Sequence, residues 1–390
     1  LSDVLNRNTK FVLIVAGEAS ADLHGANLVR GMKRLDPGIT FWGIGGKKME
    51  DAGVKILTSA TDMAVVGLTE VLSKLPRIVR AYLKLKYLLK SSHPLLLILI
   101  DYPEFNLYLA KSAKRHKVPV LYYISPQVWA WRRGRIKKIA RRVDRMAVVL
   151  PFEEKFYRIR GMDVEYVGHP LLDTIPNSFD KTESIKEMGL KNGHPILGLL
   201  PGSRTEEITN LLPLMIKAVE ILSSSYPDLE CVLPLASTIS PDLVQSILRQ
   251  SSVEIKVFQD NFHKTVSVCE LALVASGTAT LEMAIMGIPM VILYRMSPIS
   301  FWVAKMVVKV PYIGLVNLVA GEKIASELIQ DEVTPQRLVH ETLDIMKGSQ
   351  KKENMIKKLR MVRERLGRGG ASERTARMAI EMMTKKRAES

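Results

Sequence analysis

The chain has 390 residues, 47% of them hydrophobic and 25% charged, with a formal net charge of +16. That balance excludes a disordered polypeptide, and the length suggests two domains of roughly 150 residues each. Cys231 and Cys269 are the only cysteines, too few for a disulfide framework or a cysteine-based zinc site. The excess charge is concentrated: residues 129–145 carry eight Lys/Arg against one Asp, and residues 351–390 carry thirteen against five Asp/Glu. An anionic partner is implied, and nucleic acid, a phosphorylated substrate and an acidic membrane all qualify. No signal peptide is expected, because the first apolar run is too short. No membrane span is expected either, since the most apolar long stretch, 299–320, is broken by Lys305, Lys309 and Pro311.

In chain order, short apolar runs bounded by turn residues predict buried parallel strands at Phe11–Ala16, Leu95–Ile100, Val118–Ile124, Met146–Leu150, Ile196–Leu200, Glu230–Leu235, Leu271–Ala275 and Pro289–Leu293. Between them lie amphipathic segments. In 68–89, for example, apolar residues recur at three and four while Lys and Arg take the other face. The alternation predicts an α/β fold made of two Rossmann-like, doubly wound parallel-sheet domains with an interdomain cleft. The expected boundaries are an N-terminal domain over 1–172, a polar, Gly- and Pro-containing linker over 173–194, and a C-terminal domain over 195–345. Basic helices over 346–390 are expected to pack back on the body.

In such sheets ligands bind beyond the carboxyl ends of the strands, and four loops there carry chemistry. GEASADLHG (17–25) matches neither a P-loop nor a dinucleotide fingerprint. It reads as a helix start with Ser20 as N-cap and Asp22 near the positive helix end, yet Glu18 could also hydrogen-bond sugar hydroxyls. DYPEFN (101–106) places Asp101 directly after six apolar residues. It is a general-base candidate, with an Asx-type turn before Pro103 as the plain alternative. PGSRTEE (201–207) has the spacing of a capping box from Ser203 to Glu206. Arg204 would then oppose the helix dipole in the first turn, a conflict that a bound diphosphate would resolve. In ASGTATLEMA (275–284), Gly277 allows close approach of a ligand and Glu282 has two oxygens suited to a ribose diol. Together these describe a nucleotide-sugar enzyme.

The motifs GEASADLHG, MAVVGLTEVL, DYPEFN, SPQVWAWRRGRIKKI, LPFEEKFY, VGHP, LPGSR, ASGTATLE, YRMSP and NLVAGE occur in one order across nearly the whole chain. In this the chain resembles the lipid-A-disaccharide synthase family, inverting glycosyltransferases of GT-B architecture. Ala21 and Glu104 depart from the Gly and Asp usual in the family.

The resemblance implies transfer of a sugar from UDP-2,3-diacylglucosamine to the 6-hydroxyl of 2,3-diacylglucosamine 1-phosphate. The products are a β(1→6) disaccharide and UDP. It implies Asp101 as base and Arg204 as neutraliser of departing UDP. Glu282 would hold the ribose, and Gly202, Ser203, Ser276, Gly277 and Thr278 would line the nucleotide. Glu18, Asn106, Arg295 and Asn317 match further family positions near the cleft. No metal and no cofactor are expected. Acylated substrates imply a membrane-facing surface, expected at Met63, Val66, Leu68, Val71 and Leu72 and at Trp129, Trp131, Arg132 and Arg133. The charge is then read as meeting the anionic cytoplasmic face of the inner membrane and the acceptor phosphate, as a peripheral cytoplasmic protein would. Whether the chain pairs as a homodimer is left open. Competing readings are another UDP-GlcNAc-using GT-B enzyme, either the lipid I glycosyltransferase or a 2-epimerase, and a nucleic-acid-binding protein, the least favoured.

Overall fold

Thirteen strands form two parallel sheets in a computed structural model that describes residues 10–63, 68–131, 133–176, 178–259, 261–308 and 310–388. The first sheet is built from β1 (Lys10–Ala16), β2 (Ile39–Gly45), β3 (Val54–Ser59), β4 (Leu96–Ile100), β5 (Val120–Tyr123), β6 (Arg145–Val148) and β7 (Val164–Tyr166). Their order is β3-β2-β1-β4-β5-β6-β7. The second is built from β8 (Ile196–Leu200), β9 (Glu230–Leu235), β10 (Ile255–Gln259), β11 (Leu271–Ala275), β12 (Met290–Tyr294) and β13 (Glu327–Ile329), in the order β10-β9-β8-β11-β12-β13. All eight expected strands are present within a residue or two of their expected ends. β1, β4, β8 and β11 are buried along nearly their whole length, because helices cover both faces of a doubly wound sheet.

Five strands carry no such signal. β3 and β10 are half-exposed edge strands, and β7 and β13 have three residues each. β2 is central but contains Gly43, where a Cβ would lie 1.7 Å from the Ile14 carbonyl oxygen of β1. The strand therefore gives up a side chain to let two backbones meet.

The chain divides into two compact units, one comprising the described residues of Leu1–Asp173 and Gly367–Ser390 and the other Thr174–Leu366. The first segment ends within one residue of the expected 172, whereas residues 174–194 and 346–366 fall in the second unit. Segment 173–194 is not a free linker. It contains the helix Lys181–Glu187, N-capped by Asp180, whose side chain accepts from the Glu183 N–H at 2.9 Å. Ser184, Ile185 and Leu190 are buried, and Lys256 donates to the Gly189 carbonyl at 2.7 Å. The basic C-terminal region divides between the units. Helix Ser349–Arg365 stays with the second, and Ala371–Ala388 packs in the first against helix Ala19–Leu35. There Gly31 sits against Ala376, and Arg34 pairs with Glu373 at 2.9 Å.

Candidate active site

Strand order reverses direction between β1 and β4 in the first sheet and between β8 and β11 in the second. Those are the topological switch points, where open α/β sheets bind ligands beyond the carboxyl ends of the strands. The four loops singled out from sequence follow β1, β4, β8 and β11, so the topology brings them together in two pairs, one per unit.

In the first unit Asp101 directly follows β4. Asp101 and Tyr102 both adopt left-handed backbone conformations, each with φ +46, a costly geometry for residues with side chains. Three contacts hold it. The Asp101 carbonyl accepts from Tyr122 Oη at 2.5 Å and from Asn106 Nδ2 at 2.6 Å, while Tyr102 Oη donates to the Met63 carbonyl at 2.9 Å. Gly17 makes room for the turn, since a Cβ there would lie 2.5 Å from the Tyr102 ring. Pro103 then starts helix Pro103–Arg115 with φ already suited to it. Burial, and then the carboxylate of Glu18 from the β1 loop, push Asp101 up from 3.8 to about 6. A carboxyl of that strength is ionised near neutrality yet basic enough to take a proton.

Several expectations in this unit are corrected. Glu18, not Ser20, is the N-cap of helix Ala19–Leu35; its side chain makes no cap bond and it is exposed. Asp22 does more than meet the dipole of its own helix. It accepts from the N–H groups of Gly46, Lys48 and Met49 at 2.7, 3.1 and 3.1 Å, capping the next helix. Asn106 is fully buried, its Nδ2 donating to the Ile100 and Asp101 carbonyls at 3.3 and 2.6 Å, while its Oδ1 has no partner among the described residues. Met63 is a core residue rather than a membrane contact. Trp129 is likewise buried at 5% exposure, its indole N–H donating to Glu153 at 2.9 Å and its ring packing edge-on to Phe152. An indole with a satisfied N–H inside the unit cannot serve as an interfacial anchor. Val66 and Arg132 lie outside the described residues, as do the side chains of Leu68, Val71, Leu72, Trp131 and Arg133. Glu104, the departure from the family pattern, pairs with Arg135 at 2.5 Å.

Sequence reasoning missed Glu153. Wholly buried, it accepts from Ser125, Trp129 and the N–H groups of Val149 and Leu150, and burial raises its carboxyl above the usual range. It ties the β5 and β6 loops together. In PFEEKFY it stands beside Glu154 and Lys155, and nothing in that run marks which carboxylate turns inward.

In the second unit the expected Ser203–Glu206 capping box does not form, and only the glutamate half of such a box is present, one residue later. Arg204 is the N-cap of helix Thr205–Ser225, and Glu207 Oε2 accepts from the Ser203 and Arg204 N–H groups at 2.9 and 3.2 Å. Gly202 precedes the cap in a conformation that favours glycine. Its φ of +118 turns the chain sharply, and a Cβ there would strike Glu207 at 2.1 Å. Arg204 is exposed outside the first turn, with only a loose 3.6 Å pairing to Glu207. The conflict with the helix dipole read from sequence is therefore milder than expected, and the guanidinium is available to an anion.

After β11, the Ser276 hydroxyl donates to the Ile313 carbonyl at 3.1 Å, and a Cβ on Gly277 would meet nothing within 4 Å. Thr278 is exposed at the N-cap of helix Ala279–Met286, and Glu282 in its first turn pairs with His263 at 2.9 Å. Arg295 is exposed just past β12, which neighbours β11. Asn317, expected near the cleft, is buried in helix Leu315–Ala320 and acts as a bracket. Its amide donates to Ala325 and Glu327 and accepts from Ile324 and Ala325 at 2.8–3.0 Å, which uses all of its hydrogen-bonding capacity.

The fold defines a class. UDP-GlcNAc 2-epimerase from Neisseria meningitidis, solved bound to UDP-GlcNAc, superimposes with a TM-score of 0.67 at 13% identity, covering 95% of this chain and all of that one. The glycotransferase of kitacinnamycin gives 0.60 at 13% identity over 96% of this chain and all of its own. The architecture is GT-B, shared by glycosyltransferases and epimerases. Sequence narrows it further. A lipid-A-disaccharide synthetase family profile matches residues 12–381, and the lipid-A-disaccharide synthase of Geobacter metallireducens is 48% identical over 378 residues, 97% of this chain and 98% of that protein. The chain belongs to the lipid-A-disaccharide synthase family of glycosyltransferases.

Proposed function

We propose that the chain performs one in-line glycosyl transfer with inversion. The 6-hydroxyl oxygen of 2,3-diacylglucosamine 1-phosphate bonds to the anomeric carbon of UDP-2,3-diacylglucosamine, the bond from that carbon to UDP breaks, and the hydroxyl proton passes to the Asp101 carboxylate. The products are the β(1→6) disaccharide 1-phosphate and UDP. The observation that carries this reading is Asp101 itself: a carboxylate at the switch point, raised to about 6 and clamped in a strained turn by Tyr122 and Asn106. Strain of that kind persists where the surroundings over-determine it, commonly at catalytic groups.

Arg204 and the N–H groups at the start of helix Thr205–Ser225 neutralise the charge that develops on UDP. Gly202, Ser203, Ser276, Gly277 and Thr278 line the nucleotide, and Glu282 takes the ribose hydroxyls. Glu18 and Arg295, both exposed beside the switch points, contact the substrates; Asn106 and Asn317 support the loops beneath them.

Acylated substrates place the protein on an anionic membrane surface, at the cytoplasmic face of the inner membrane. Among the described residues no helix is long and apolar enough to cross a membrane. Support comes from helix Leu68–Ser91, whose Leu75, Val79, Leu83 and Tyr87 recur every fourth residue and are 46%, 46%, 55% and 61% exposed. Arg77, Arg80, Lys84 and Lys90 flank them, giving an interfacial helix with charge for acidic headgroups. The stripe lies further along the helix than the residues expected from sequence. Nucleic acid finds less support, because Arg145, Lys352 and Lys358 of the basic clusters are spent on Glu165, Glu270 and Glu322.

The reading is tested with the two acylated glucosamine substrates by following UDP release. Disaccharide formation by the wild type, lost in Asp101→Ala, is expected. UDP release without disaccharide, or full activity in the variant, would remove the transfer or the base respectively.

A further inference from the structure

Beside the proposed nucleotide loops of the second unit lies a side chain that none of the roles above uses. His263 lies in helix Phe262–Ser267, between β10 and β11, and its Nε2 is 2.9 Å from Glu282 Oε1. Both side chains are largely covered, at 26% and 17% exposure. The imidazole is itself held, with Phe262 packed edge-on against it at 5.4 Å between ring centroids and 81° between planes.

We propose that His263 is a positioning residue for donor recognition, fixing the Glu282 carboxylate so that it reads the ribose hydroxyls. This rests on the reading of Glu282 as the ribose ligand. A carboxylate has about four acceptor sites, and a single bond from the Nε2–H form of the ring uses one on Oε1 while leaving Oε2 open to a diol. Glutamate has three side-chain torsions, so an unrestrained Glu282 would lose that freedom on each binding event; the bond to His263 removes the cost beforehand. Lys or Arg in the same place would form a stronger pair and compete for both oxygens. A ring nitrogen offers one directional donor and leaves the rest of the carboxylate available.

The test compares UDP with 2′,3′-dideoxy-UDP by titration calorimetry on the full chain. The wild type is expected to prefer UDP by about tenfold or more, the scale of hydrogen bonds to a charged acceptor. His263→Ala should reduce that preference to within about threefold while leaving dideoxy-UDP affinity unchanged, and His263→Gln, whose amide can donate to the same oxygen, should restore much of it. A purely structural role would weaken both nucleotides equally. Wild-type discrimination in His263→Ala, with discrimination lost in Glu282→Gln, would overturn the inference but leave the ribose reading standing. Wild-type discrimination retained in Glu282→Gln would overturn the ribose reading, and the inference with it.

Discussion

Replacing Asp101 by Asn should separate catalysis from stability, because the property that makes the carboxylate a base also makes it costly to the fold. In the unfolded chain the carboxyl titrates at 3.8; in the folded chain burial, then Glu18, raise it to about 6. The folded state therefore holds this proton more tightly than the unfolded state. Below 3.8 both states are protonated and there is no penalty; the penalty grows with rising pH and is complete above about 6. At 1.36 kcal/mol for each pH unit, ionised Asp101 costs up to about 3 kcal/mol at pH 8, falling to about half near pH 5. Asn cannot ionise, so Asp101→Asn should melt higher than wild type at pH 8, on the order of 5–10 °C for a unit of this size. The gain should shrink at pH 5. Turnover should fall by about 10²–10⁴, the contribution of a placed general base. Paired thermal melts at the two pH values and a UDP-release assay measure both. Loss of activity without the stability gain would mean that Asp101 is not a destabilised buried carboxylate, and a gain equal at both pH values would remove its titration as the cause.

Three further outcomes follow from the same contacts. Glu18→Gln removes the second cause of the raised Asp101 value, so the acid limb of the kcat/KM profile should move to lower pH, by less than the full return to 3.8 because burial remains. Tyr122→Phe leaves the Asp101 carbonyl with Asn106 alone; kcat should drop by roughly three- to tenfold with UDP affinity unchanged, as expected for slight misplacement of a base. Gly202→Ala forces a Cβ into Glu207 at φ +118, and should cost about 1–3 kcal/mol of stability in a denaturant titration and weaken UDP binding.

The sheets were legible where the chain is buried on both faces. LLLILI and ILGLL can be read as strands because a doubly wound sheet leaves no polar face to interrupt them. The half-exposed β3 and β10 look like amphipathic coil, and β2 is disguised by Gly43, whose reason is a neighbouring strand out of sight in the sequence. The strand-end rule carried most of the site. It picked the loops after β1, β4, β8 and β11 without the strand order, and the order then placed all four at switch points.

Within those loops, sequence could not say which polar groups are already engaged by the protein. Asn317 and Arg204 both sit in motifs that suggest ligand binding, but the side-chain amide of Asn317 is fully bonded to residues 324–327, whereas the Arg204 guanidinium makes one loose contact among the described residues. Trp129 illustrates the same ambiguity for an aromatic. Beside a run of arginines it suggests an interfacial anchor, yet its N–H meets the buried Glu153, a partner 24 residues away. A polar group spent inside the fold shapes a site without touching what binds there. The proposed roles follow from how far each group is engaged: Arg204, Glu18, Thr278 and Arg295 are exposed for contact, Glu282 and Ser276 keep an oxygen for the nucleotide beside one internal bond, and Asn106, Tyr122, Asn317 and His263 hold the contacting groups in place.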